Sequence, residues 1–178
     1  MELDRFETMM FYFLKICRKN LKQKIVASFE IARYVGIFLG FYFGYACGDG
    51  PWETLHVLVP LLVISVAGLT GIEGIFLSEA TAESMGRQPG SPYQIQSGMN
   101  NLAVAITALL VWIFNWGIYA DLTILFVLLI FLFLSAINHT REIFKHKNYK
   151  FKNILRPIIT IALIIYLLPL IISALSQK

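Results

Sequence analysis

Five apolar stretches, at roughly 25–47, 55–79, 99–119, 121–139 and 155–175, constrain this chain more than any other feature. Each is long enough to cross about 30 Å of hydrocarbon at about 1.5 Å of helix rise per residue. Hydrocarbon offers no water to peptide N–H and C=O groups, so every stretch is expected as a helix whose backbone bonds close within it. The expected fold is an all-α integral membrane bundle of five transmembrane helices, a single domain over residues 1–178. Composition agrees, since only 15% of residues are charged against about a quarter in soluble domains.

A basic amphipathic helix is expected over residues 1–22, ahead of the first span. Phe6, Met9, Met10, Phe13, Leu14, Cys17 and Leu21 share one half of a helical wheel, and Lys15, Arg18, Lys19 and Lys22 the other. Such a helix either lies in the headgroup region or packs on the bundle. Lys15 interrupts the apolar run, and basic residues stand where a cleavage site would need small ones, so the segment reads as retained rather than as a signal peptide.

Lysine and arginine fix the expected orientation. Arg5, Lys15, Arg18, Lys19, Lys22 and Lys24 precede span one, and Arg141, Lys145, Lys147, Lys150, Lys152 and Arg156 follow span four. The short turns near 49–53 and 117–121 contain neither residue. The positive-inside rule then gives a multi-pass cell-membrane protein with a cytoplasmic N-terminus and an external C-terminus. The loop from Ser84 to Gly98, with Arg87, falls inside; Trp52 and Trp116 fall at external boundaries as interfacial aromatics. The net charge of +4 sits in blocks beside apolar spans, which points to anionic lipid headgroups and away from nucleic acid. Cys17 and Cys47 have no metal-type spacing and suggest no disulfide framework.

Span one carries Ala32, Gly36, Gly40, Gly44 and Gly48 at four-residue spacing. A stripe without side chains lets another backbone approach closely, either within the bundle or in a homo-oligomer through Gly36, Gly40 and Gly44; lining for a flat ligand is the alternative. Gly68 and Gly71 in span two, with Ala67 and Gly74 adjacent, offer one possible counter-surface.

Ionisable and amide side chains gather near one membrane face. Glu30 and Arg33 of span one, Glu73, Glu79 and Glu83 of span two, Gln94 in the loop before span three, Asn100 and Asn101 opening span three, and His139 and Glu142 ending span four fall at one level. Such groups are costly at that depth, which makes Glu30, Arg33, Glu73, Glu79, Glu83, Gln94, Asn101 and His139 candidate ligand-binding residues. Bland readings stand beside this one: a Glu30–Arg33 pair along one helix, a Glu83–Arg87 pair at a solvated helix end, and amides that cap span three. Glu73 has no basic neighbour one turn away on its own helix, so it needs a partner from another helix or a proton. Glu79, Glu83, His139 and Glu142 could together hold a divalent metal. A lone histidine at a helix C-terminus, as His139 is, is more often satisfied by backbone carbonyls and the helix dipole.

Nucleotide, hydrolase and thiol motifs are missing: there is no G-x-x-x-x-G-K-[ST], G-x-G-x-x-G, G-x-S-x-G or C-x-x-C. The run Glu83-Ser84-Met85-Gly86, then Ser91-Pro92-Tyr93-Gln94, Gly98 and Asn101-Leu102-Ala103, with His139 closing span four, resembles a family of small prokaryotic membrane proteins carrying a domain of unknown function. The resemblance covers roughly residues 65–170, leaves out the amphipathic helix and the glycine stripe, and implies a compact helical membrane domain without assigning a reaction. The residues themselves favour a bundle of the small-ligand-binding, cation-binding or transport type with a polar cytoplasmic site. A metal-dependent membrane enzyme acting on a lipid or quinone head group is the alternative, and a non-catalytic accessory subunit is a third.

Overall fold

The computed structural model describes residues 2–89 and 91–176, with side chains from residue 14 onward. Helix α1 runs Glu2–Cys47, α2 Pro51–Phe76, α3 Ser78–Ser84, α4 Pro92–Ile113, α5 Ile118–His146 and α6 Phe151–Ser176. Leu14–Cys47, α2, α4, α5 and α6 are each long and apolar enough to span a membrane, so the chain is an integral membrane helical bundle. The basic segment at the start is continuous with the first span as one helix. The side chains of Phe6, Met9, Met10 and Phe13 of its expected apolar face are not among those described, and Gly90 of the loop lies outside the described residues.

Helix ends differ from the apolar windows for local reasons. Helix α4 begins at Pro92 rather than near 99, because proline occupies the first helical turn, where a missing N–H costs nothing. The polar run Gln94, Gln96, Ser97, Asn100 and Asn101 hides that turn from a hydropathy window. Helix α5 likewise continues through His139 to His146, where Lys147 adopts a left-handed backbone (φ 51°) and ends it.

Helix α2 is the hub. Just over half of it is buried inside the bundle, against a third or less of each other span, and it packs on α1, α4, α5 and α6. Lipid is as apolar as leucine, so close backbone approach, not hydrophobic transfer, selects helix partners. The stripe on α1 supplies that approach within the same chain: a Cβ added at Gly36 would lie 2.0 Å from Ser65 Oγ on α2, and one at Gly48 2.5 Å from the Thr54 nitrogen. Of the two expected uses of the stripe, the contact within the bundle is the one seen: the face of Gly36, Gly40 and Gly44 is occupied by α2. Gly71 and Gly74 do not answer that stripe either; they meet α4, where a Cβ on Gly74 would stand 2.8 Å from Gly98 Cα.

Pro60 removes one backbone donor from the middle of α2, and a π-helical turn follows at Ile64–Gly68. The core beside it is aliphatic: Leu55, Leu58, Leu62 and Val63 of α2 meet Ala105 and Ala108 of α4, Leu125 and Leu128 of α5, and Leu167 of α6. At the end of the bundle away from the basic loops, the Trp52 indole N–H donates to the Ala174 carbonyl, and His56 Nδ1 lies 2.8 Å from Asp121 Oδ2. These bonds tie α2 to α6 and to α5.

The two glycine contacts differ in tightness, which gives a direct comparison. Gly98→Ala is expected to destabilise the protein by about 1–3 kcal/mol through overpacking, because its added Cβ would sit 2.9 Å from the Gly74 carbonyl carbon. Gly40→Ala, whose Cβ would find neighbours no closer than 3.5 Å, should leave the melting temperature in detergent unchanged. Equal melting temperatures for the two variants would refute this packing.

Candidate functional site

The clustered polar residues surround a cavity of about 780 Å³ between α1, α2, α4, α5 and α6, at the end of the bundle that carries the basic loops. Its deeper wall is apolar, from Ile37, Val66, Leu128, Leu132, Ile159 and Leu163. Its other wall is polar and comes from every helix.

Arg33 of α1 and Glu73 of α2 form an ion pair through Nη2 and Oε2, and both residues are buried. Burial penalises an unanswered charge more than an exposed one, so Arg33 is drawn across to Glu73 instead of pairing along its own helix. Glu30 pairs with Lys152 of α6. The expected Glu30–Arg33 pair is therefore replaced by two contacts between helices. Glu83 is bound by Lys19 at 3.0 Å and accepts from Gln23 Nε2 at 3.1 Å, which also replaces the expected pair with Arg87.

His139 is held from two sides. Its Nδ1 lies 2.9 Å from Asn153 Oδ1, and its Nε2 lies 3.3 Å from Arg156 Nη1. The amide oxygen can only accept, so Nδ1 carries the proton and Nε2 accepts from the guanidinium. Asn153 Nδ2 in turn donates to the Asn148 carbonyl at 3.2 Å and the Met85 carbonyl at 3.4 Å, and Asn148 Nδ2 donates to Met85 at 2.9 Å. This chain of bonds fastens the end of α3 to the α5–α6 turn and sets the position of Arg156.

Against these satisfied groups stand six buried atoms without a hydrogen-bond partner among the described residues: Arg33 Nε, Glu73 Oε1, Thr81 Oγ1, Arg87 Nε, Arg87 Nη2 and Gln94 Oε1. Every residue that owns one lines the cavity. A buried polar group left unpaired costs about 1–3 kcal/mol, so a cluster of them around one space marks that space as a place for a polar occupant.

Glu30, Arg33, Glu73, Gln94, Asn101, His139 and Glu142 of the expected set all line the cavity. Glu79 and Glu83 do not: Glu79 is exposed, and Glu83 faces α1. The expectation placed them on one helical sector with Glu73, but Leu77 (φ −128°) breaks α2 from α3 and changes the register. The metal set Glu79, Glu83, His139 and Glu142 is consequently dispersed, and among the described residues no three His, Cys, Asp or Glu side chains converge as a metal site would require.

Sequence reasoning missed Arg87, Arg156, Thr81, Tyr34 and Thr160 as cavity residues. For α6 a signal was present. Asn153, Arg156 and Thr160 recur at i, i+3 and i+7 in a mostly apolar helix, which puts them on one face. Counting Arg156 only as a loop charge concealed it.

Residues 50–178 match the model of a family of unknown function (DUF6790). No curated protein and no solved structure matches the chain. The matched region begins just before α2, so Glu30, Arg33 and Tyr34 reach the cavity from outside it.

The Arg33–Glu73 pair makes a quantitative prediction. Glu73→Gln should destabilise the protein by about 3–5 kcal/mol, because it leaves the buried Arg33 unanswered. Replacing both, as Arg33→Met with Glu73→Leu, should recover most of that loss in thermal melts. A double variant no more stable than the single one would show that the pair is not the source.

Proposed function

We propose that this chain, which belongs to the DUF6790 family of unknown function, binds a small ligand in the cavity at the basic end of the bundle and acts as a transport-type membrane protein. The observation that carries this reading is the set of unpartnered buried atoms on Arg33, Glu73, Thr81, Arg87 and Gln94 around one space. Nothing in their packing repays them, whereas a ligand would. A volume of about 780 Å³ is comparable with the roughly 300–1,000 Å³ of small-molecule sites, which combine apolar walls with a few convergent polar groups.

In this reading the basic end faces the cytoplasm, as the lysine and arginine distribution favours. Lys15, Arg18 and Lys24 are exposed along α1 and meet anionic lipid headgroups. Glu30, Arg33, Glu73, Gln94, Asn101 and His139 form or support the binding wall, joined by Arg87 and Arg156. Glu79 and Glu83 serve the α1–α3 surface instead. Five helices make a thin wall for a solute pathway, so passage through the membrane would need a second copy, docked by a face other than the glycine stripe.

Filling the cavity should abolish binding while sparing the fold. Leu132→Trp and Thr160→Trp each push a large side chain into the space. Wild-type protein isolated with its native lipids is expected to release a near-stoichiometric small molecule on denaturation, detected by mass spectrometry, and both filled variants should lose most of it while eluting as the same species on size exclusion. Equal content in all three proteins would contradict the proposal.

A further inference from the structure

The vacant atoms of Arg87 are not a random pair. In a guanidinium, Nε–H and the Nη2–H on the same side point in parallel and form the edge that takes a carboxylate or phosphate with two bonds at once. In Arg87 this whole edge is buried and unpaired. Arg156, which also lines the cavity, meets an imidazole nitrogen rather than a carboxylate, so its charge too is unanswered by any ion pair among the described residues.

Charge around the cavity follows the same direction. Arg33, Arg87 and Arg156 line it together with Glu30, Glu73 and Glu142. Glu73 is answered by Arg33, and Glu30 by Lys152 from outside the lining. Glu142 then balances only one of the two remaining arginines, and a single positive charge is left over. Among the unpartnered atoms three are guanidinium nitrogens that can only donate, the Glu73 and Gln94 oxygens accept, and the Thr81 hydroxyl can do either. A cation would face this excess without enough free oxygens to replace its hydration.

We infer that the cavity ligand is a small amphipathic anion, whose carboxylate or phosphate group is gripped by the side-on edge of Arg87 with support from Arg156, and whose apolar body lies along Ile37, Leu128, Leu132, Ile159 and Leu163. This deepens the ligand-binding reading above and rests on it. The chemistry is shared by free anions and by single-chain, lipid-derived ones, and the apolar wall favours the second. Arg87 makes no ion pair among the described residues, which sets it apart from a structural arginine.

Binding of radiolabelled dodecanoate, dodecyl phosphate, inorganic phosphate, dodecyltrimethylammonium and dodecanol to the full chain in phosphatidylcholine nanodiscs tests this. The long-chain anions are expected to bind saturably, and Arg87→Gln to weaken them about tenfold or more, the loss of charge-assisted hydrogen bonds. The same variant should not lower the melting temperature of the ligand-free protein. Arg87→Lys, which keeps the charge but loses the two-bond edge, should also fold and bind more weakly than wild type. Inorganic phosphate binding as tightly as dodecyl phosphate would identify a free anion as the source; binding of the long-chain anions alone would identify a lipid-derived one. Preference for the cation or the alcohol, or anion binding indifferent to both Arg87 substitutions, would overturn the anion assignment. The cavity reading would survive that result if Leu132→Trp abolished the binding that was seen. Failure of every probe would also overturn the anion assignment, leaving the cavity reading to the molecule that co-purifies.

Discussion

The ion pair between Arg33 and Glu73 is the interaction on which the basic half of the bundle depends. Two charges at this depth persist only when each answers the other, since solvent cannot. They can meet because α1 presents glycine to α2 just beyond them: with Gly36 against Ser65, the helix backbones stand close enough for one guanidinium to reach one carboxylate. The glycine stripe and the ion pair are thus one device, with the stripe setting the distance and the charges setting the register of α1 along α2. A one-turn slip of α1 would bring Ile37 toward the Glu73 level and bury an unpaired acid.

The two ends of the molecule contrast. At the far end, Trp52 donates to Ala174 and His56 meets Asp121, and the helices are stitched by bonds that use the groups present. At the basic end the Asn148–Asn153–His139–Arg156 chain is similarly complete on its outer side, but the atoms turned toward the cavity are not. The satisfied bonds thus gather at one end, and the unpartnered atoms around the cavity at the other. The break at Leu77 helps to make that cavity, because turning α3 away from the line of α2 opens room beneath Glu73 and brings Arg87 round to it.

Much of this was legible in the residues. Apolar length alone gives five spans, and the isolation of Glu73 on its own helix points to a partner elsewhere in the bundle. The convergence of Glu30, Arg33, Asn101 and His139 followed from spans of alternating direction. What escaped was set by features without a hydropathy signature. Periodicity carried through 73–83 assumes a continuous helix, and nothing in Phe76-Leu77-Ser78 announces the turn that throws Glu79 and Glu83 off the cavity and disperses the metal set. The glycine stripe announced a close contact but not its partner, because a surface without side chains carries no complementary code. Arg87 and Arg156 looked like boundary charges, since a count of lysine and arginine for topology treats every such residue alike.

A ligand-binding role for the polar cavity, which Asn101 lines, requires that it be reached from the side of the basic loops alone. In a chain where serine replaces Cys17 and Cys47, cysteine at Asn101 can be probed with a membrane-impermeant maleimide in sealed vesicles of either orientation, with cysteines at Lys147 and Asp49 marking the two faces. Labelling of Asn101→Cys from the face that labels Lys147→Cys, and from that face alone, is the predicted result. Labelling from the Asp49→Cys face, or from neither, would contradict it.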